Sequence, residues 1–239
     1  GGFVWTGFDY RGEPTPYKWP NISSHFGISD VCGFPKNIYY YYKSWWTNED
    51  ILHISPHWNW PEKLGKPIDV WVNTNADDVE LFLNGKSLGK KTMPRNSHLQ
   101  WDVSYELGTL EAVAYKNGKK LTSKVETTNH ATKVIAVADK SSVLADGKDG
   151  VIVNISIVDD KGREVPNANN MVYFKLSGDA KIIGVGNGDP SSHEADKCVD
   201  EAWQRSTFNG KCQVIIQAGE MVGDIKLEVR SNGLVSAST

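Results

Sequence analysis

From about residue 52 onward, apolar and polar positions alternate in short runs such as IDVWVNT, VELFLNG, LEAVAYKNG, VIVNISIVDD, QVIIQAG and DIKLEVRSNG, broken by Asn-Gly, Asp-Gly and Asp-Lys-Gly turns. A period of two with one apolar face predicts half-buried strands. Asn-Gly between two such runs predicts a tight hairpin, because both central residues of the favoured turn need positive φ. Asn84-Gly85 and Asn117-Gly118 stand in that position. Around TTNHATK polar residues interrupt the pattern before VIAVAD begins a new series, which places a boundary near residue 130. The pattern predicts a mainly β protein with two immunoglobulin-like β-sandwiches, over residues 51–130 and 131–239.

Residues 1–50 follow another rule: they hold four of the nine Trp, six of the nine Tyr and a loop rich in Pro, Gly and Ser. GGFVW reads as a strand; after a polar loop, Pro35 suits the first turn of a helix continued by KNIYYYYKSWW. Tyr39, Tyr40, Tyr41, Tyr42, Trp45 and Trp46 cannot share one helix face, so this helix is expected to be wedged between layers, an interface more than a site. Strand, loop and helix in this order make a βα unit, in which functional residues follow the carboxyl end of the strand. One such unit cannot close a core. Its apolar surface is expected to dock on the first sandwich, pair with another chain or be covered by a companion fragment.

Charge removes some function classes. Twenty-six basic against 29 acidic residues give a net of −3 with no long single-sign run, which excludes the electrostatic footprint of a nucleic-acid binder. No apolar stretch approaches the roughly 18 residues needed to cross a bilayer, so no membrane partner is expected. GGFVWTGFDY lacks a charged n-region and an initiator Met and reads as an internal cut. Cys32, Cys198 and Cys212 lack metal-ligand spacing; three free thiols are expected, with Cys212 a buried small hydrophobe and a Cys198–Cys212 bridge as the alternative.

The segment GGFVWTGFDYRGEPTPYKWPNISSHFGISDVCGFPKNIYYYYKSWW resembles family-2 glycoside hydrolases of the β-galactosidase type common in gut Bacteroidetes. The likeness covers about 47 residues; the rest resembles the appended modules of such enzymes, the second being similar to bacterial Ig-like, invasin-type repeats, on softer patterns including GVGNGDPSSHEA and RSTFNGKCQVIIQ. The resemblance implies that residues 1–50 are the last strand, active-site loop and helix of a (β/α)8 catalytic barrel, and that the parent is a retaining exo-glycosidase hydrolysing terminal β-galactosides. Carbohydrate-binding or purely structural sandwiches are the alternative, as are β-glucuronidase or β-mannosidase specificities of the parent. Retaining hydrolysis needs two carboxyl groups about 5–5.5 Å apart. The resemblance places both on earlier barrel strands; Glu13 lies in the loop and Glu49 and Glu62 near the first boundary, so no catalytic residue is expected here and the chain alone should be inert. It further implies no cofactor, the rest of the parent enzyme as partner, a homo-oligomer as another, and a periplasmic or secreted parent.

Carried over residue by residue, the resemblance nominates Trp5, Asp9, Tyr10, Ser24 and His25 as substrate-binding. Trp5 would offer its indole to the apolar face of a sugar, with barrel filling as the competitor. Asp9 and Tyr10 follow on the loop, where a carboxylate can accept from sugar hydroxyls or brace the loop. Ser24 and His25 lie with Phe26 in SSHFGISD, the loop carried to the pocket's cover; His25 could donate to a hydroxyl or stabilise the loop. Arg11 and Trp19 could reach the pocket or a neighbouring domain. In SPHWNWPEKLGKP, exposed Trp58 and Trp60 would favour glycan binding, but packing is the expected role; His53 and His57, four apart in an extended segment, should share a face without enough ligands for a metal. GNGDPSSHEADKC is expected to be a solvated loop without calcium-loop spacing, or a rim for the pocket.

Overall fold

The structure, a computed structural model, describes residues 2–198 and 202–239. The chain divides into two compact units, one of residues 35–127 and one of residues 1–34 with 128–239.

In the unit of residues 35–127, helix α1 (Asn37–Trp46) precedes β1 (Leu52–Ser55), a 3-10 turn (Pro61–Lys63), β2 (Pro67–Thr74), β3 (Asp78–Leu83), β4 (Lys86–Thr92), β5 (Leu99–Ser104), β6 (Thr109–Lys116) and β7 (Lys119–Glu126). Two antiparallel sheets, ordered β1-β2-β5 and β4-β3-β6-β7, face each other across one core. Period two sets which residues enter it: in β3, Val79, Leu81 and Leu83 are buried while the residues between them are not. Asn84-Gly85 closes the β3–β4 hairpin with φ of 51° and 80°, and Asn117-Gly118 closes β6–β7 with 50° and 80°, the left-handed pair expected of both turns.

Trp58 lies at the centre of this core, fully buried, its Nε1 donating to the Glu106 carbonyl at 2.9 Å and its ring 5.0 Å from Tyr105. Burial of a large aromatic with its N–H satisfied stabilises by about 2–3 kcal/mol. That removes the reading of Trp58 as an exposed glycan platform. His53 stacks on Tyr40 of α1 at 3.6 Å and His57 stacks on Trp60 at 4.4 Å, so each imidazole has its own aromatic partner.

The second sandwich comprises β8 (Lys133–Ala138), β9 (Gly150–Val158), β10 (Met171–Ser177), β11 (Ala180–Gly186), β12 (Gln204–Ser206), β13 (Lys211–Ala218), β14 (Lys226–Ser231) and β15 (Ala237–Ser238). Its sheets are ordered β11-β13-β9-β8 and β12-β10-β14-β15. Val153, Ile155, Ile157, Val172, Val214 and Val229 form the centre of its core, and Cys212 is buried among them. All three cysteines are free thiols.

One expectation for the amino-terminal segment changes. Residues 2–7 form no strand: Phe8 makes a single parallel bridge with Ser29 and Arg11 a single antiparallel bridge with Ser23. A strand exists through its ladder, and among the described residues none pairs with residues 2–5. Residues 2–34 belong to the same compact unit as the second sandwich; the glycine-lined end of β11 makes room for them.

Candidate functional site

The segment from Thr6 to Ser29 folds back on itself. Backbone bonds run from Ile28 N to Thr6 O, Ser29 N to Gly7 O, Asp9 N to Ser29 O and Ser24 N to Tyr10 O, all between 2.8 and 3.0 Å. Gly27 permits this clasp: a Cβ there would lie 2.2 Å from Asp9 N and 2.5 Å from Phe8 C.

Asp9 sits inside the clasp, 7% exposed, its Oδ1 accepting from Gly27 N at 2.7 Å and from Ser24 Oγ at 3.0 Å. Ser24, fully buried, in turn accepts from Tyr10 N at 3.1 Å. These two side chains hold the loop from beneath, the bracing role weighed for Asp9. Above them the surface is aromatic. Trp5, 74% exposed, donates its Nε1 to the Tyr10 hydroxyl at 3.3 Å, and that hydroxyl donates to Glu13 Oε2. Phe26 meets the Tyr10 ring edge-on at 5.9 Å. The Glu13 carboxylate pushes the Tyr10 pKa up, so its phenol stays protonated at neutral pH. His25 belongs to a separate pair, 3.0 Å from Asn21 Oδ1 and 4.1 Å from the Tyr17 ring.

Four of the five nominated residues, Trp5, Asp9, Tyr10 and Ser24, thus form one hydrogen-bonded chain, and His25 lies beside it. Phe26 extends the aromatic surface and Glu13 adds a carboxylate at its edge. Glu13 carried no separate signal, since only the folded loop brings its carboxylate to a phenol.

Arg11 and Trp19 turn to the second sandwich. Arg11 Nη2 donates to both oxygens of Asp196, at 2.9 and 2.7 Å, and Trp19 packs at 4.4 Å on His193. The 187–198 loop therefore contacts the amino-terminal segment; among the described residues no cluster of three or more His, Cys, Asp and Glu could hold a metal. Arg205 on β12 is 1% exposed and donates to the Glu194 carbonyl, Asp196 Oδ1, Asn187 Oδ1 and Ser192 Oγ at 3.1–3.3 Å. A cavity of about 490 Å³ lies beside this cluster, lined in part by Arg11, Cys32, Asp189, Arg205 and Gln213. Burial pushes the Cys32 thiol up to about 12, reinforced by Asp30, which removes it as a nucleophile near neutrality.

Glu13 is engaged by Tyr10, and Glu49 follows α1 and is ion-paired with Lys43 at 2.7 Å. In the first sandwich Trp71 and Tyr115 are exposed; Trp71 Nε1 donates to Asp69 at 2.9 Å while His98 stacks on its ring at 3.9 Å.

Glycoside hydrolase family 2 C-terminal domain 5 matches residues 135–239, and a domain of unknown function, DUF4982, matches residues 65–122. A β-galactosidase of Bacteroides ovatus is 46% identical over 240 aligned residues, covering 99% of this chain and 28% of its own. A putative β-glucuronidase of Formosa agariphila is 41% identical, covering 91% and 22%. The crystal structure of a β-glycosidase from Bacteroides vulgatus superposes with a TM-score of 0.89 at 36% identity, over 98% of this chain and 30% of that one. The chain thus spans between a fifth and a third of the length of these relatives. It belongs to glycoside hydrolase family 2, and its second sandwich is that family's C-terminal domain 5.

Proposed function

We propose that the chain supplies one wall of the sugar subsite of a retaining exo-glycosidase acting on terminal β-galactosides, with residues 1–50 as the last strand-loop-helix unit of its catalytic barrel. The observation that carries this reading is the exposed Trp5 indole, steered by Tyr10 above the Asp9–Ser24 brace. A flat aromatic face suits the apolar C–H face of a pyranose, while Tyr10 and Glu13 offer polar atoms at its edge. The name of the Bacteroides ovatus relative supports a galactoside.

The two sandwiches are architectural in this reading, and the catalytic carboxyl groups belong to other parts of the parent. The chain alone should give no turnover of an aryl β-galactoside. Grafted in place of the matching part of the Bacteroides ovatus enzyme, it should support hydrolysis, and Trp5→Ala in that chimera should lower kcat/KM about 100-fold, as expected for loss of a sugar-stacking surface worth about 3 kcal/mol. Retaining turnover by the isolated chain, or an unaffected Trp5→Ala chimera, would sink the reading.

A further inference from the structure

We propose that the Asn187–Cys198 loop of the second sandwich is a latch for the sugar-facing segment, and that Asp196 and Arg205 are positioning residues acting on Trp5 through Arg11 and Tyr10; this rests on the sugar-wall reading above. The link begins in the sandwich. Arg205 projects from β12 into a site where its two terminal nitrogens meet four acceptors, all of them on the 187–198 loop: the Glu194 carbonyl, Asp196, Ser192 and Asn187. Glu194 Oε2 also accepts from Ser206 N at 2.8 Å, and Asn187 donates to the Ser206 carbonyl at 2.8 Å, so the loop is tied to β12 at its start and again at Glu194. A buried guanidinium whose planar fork is matched by several acceptors is a rigid anchor, because leaving any of them unpaired in the interior is costly.

Asp196 transmits that rigidity outward. Its Oδ1 accepts from Arg205 at 3.1 Å and from Arg11 at 2.9 Å, while Oδ2 accepts from Arg11 at 2.7 Å. One carboxylate thus bridges a core cation and a surface cation. Arg11 directly follows Tyr10, the residue that holds Trp5. Four further contacts fasten the far side of the same segment: Ile22 N and Ser23 N donate to the Pro190 carbonyl at 2.9 and 3.1 Å, His193 Nε2 lies 2.9 Å from the Pro20 carbonyl, and Trp19 packs on His193. Residues 12–22 hold no strand or helix of their own, so contacts of this kind set their order. Both flanks of the segment are gripped by one loop of a domain otherwise remote in sequence. Preorganising a binding loop reduces the ordering cost at the moment a ligand arrives, which raises affinity without a new ligand contact.

Arg11→Met is the sharper test, since it removes only the outer half of the bridge and leaves the Arg205–Asp196 pair in place; Asp196→Asn is the companion variant. In this chain, amide hydrogen exchange of residues 9–24 should speed up at least tenfold in Arg11→Met, while β9 and β13 keep their protection. In the chimera the same variant should raise KM for an aryl β-galactoside about tenfold with kcat nearly unchanged, and Arg11→Lys should recover part of it. Unchanged exchange in both variants overturns the latch. Faster exchange with an unchanged KM overturns the positioning role. An unaffected Trp5→Ala chimera would instead sink the sugar-wall reading, leaving the exchange measurement to decide the latch by itself.

Discussion

Gly186 shows how one missing side chain positions a whole segment. A Cβ on it would lie 2.9 Å from Cys32 Sγ, and one on Gly188 would lie 1.9 Å from Asp30 Oδ2. The spacing of GVGNGD therefore lets residues 30–33 lie against the end of β11, just past the register shift between Ile182 and Gly184. Gly186→Ala should cost about 1–3 kcal/mol through overpacking. Adding Cys32→Ala removes the sulfur and should restore most of that loss in a thermal double-mutant cycle. If the double variant is no more stable than Gly186→Ala alone, the close approach to the thiol is not what excludes a side chain. The motif stood out in the sequence, but its reason did not, because the atom it avoids belongs to a distant part of the chain.

At the scale of elements, what could be read in advance was what depends on local pattern. Period two located β3 and β9, Asn-Gly located two hairpins, and Pro35 with its aromatic run located α1. GGFVW failed because a strand needs neighbours that local pattern cannot supply. How α1 is held was also hidden: Tyr41 donates to the Asn96 carbonyl at 2.9 Å, Trp45 to the Ser97 carbonyl at 3.1 Å, and Tyr40 stacks on His53 of β1. Burial lowers the His53 pKa from 6.5 to about 4, so the folded state keeps it neutral. A base with a depressed folded pKa adds stability that is complete above 6.5 and drains away as pH falls towards 4. The unit of residues 35–127 should therefore lose on the order of 2 kcal/mol over that window. His53→Phe keeps an aromatic ring beside Tyr40 and should flatten the dependence, measured by denaturant unfolding at pH 7 and pH 4.5. An equally steep slope in His53→Phe would assign it to other groups.

At the scale of the molecule, the candidate site is assembled from residues up to 185 positions apart, as in the Arg11–Asp196 contact. The resemblance nominated Trp5 and Tyr10 from contiguous residues, but neither composition nor period could nominate Asp196 or Arg205, whose relevance arises only when two distant loops meet. The same packing divides the chain in a way that local pattern does not announce, with α1 belonging to the unit of residues 35–127. That unit has its own two sheets, its own core around Trp58, Val70, Val72 and Leu81, and α1 fastened by Tyr40, Tyr41 and Trp45. A domain of this size with a closed core is large enough to fold unaided. Residues 35–127 alone should therefore unfold cooperatively and give a dispersed amide spectrum. A fragment of residues 51–130 lacks the helix and its anchoring contacts, a loss of about 2 kcal/mol, and should melt about 10 °C lower. Equal melting temperatures would make α1 a passenger on this sandwich, and an unfolded 35–127 fragment would mean that its core depends on the rest of the chain.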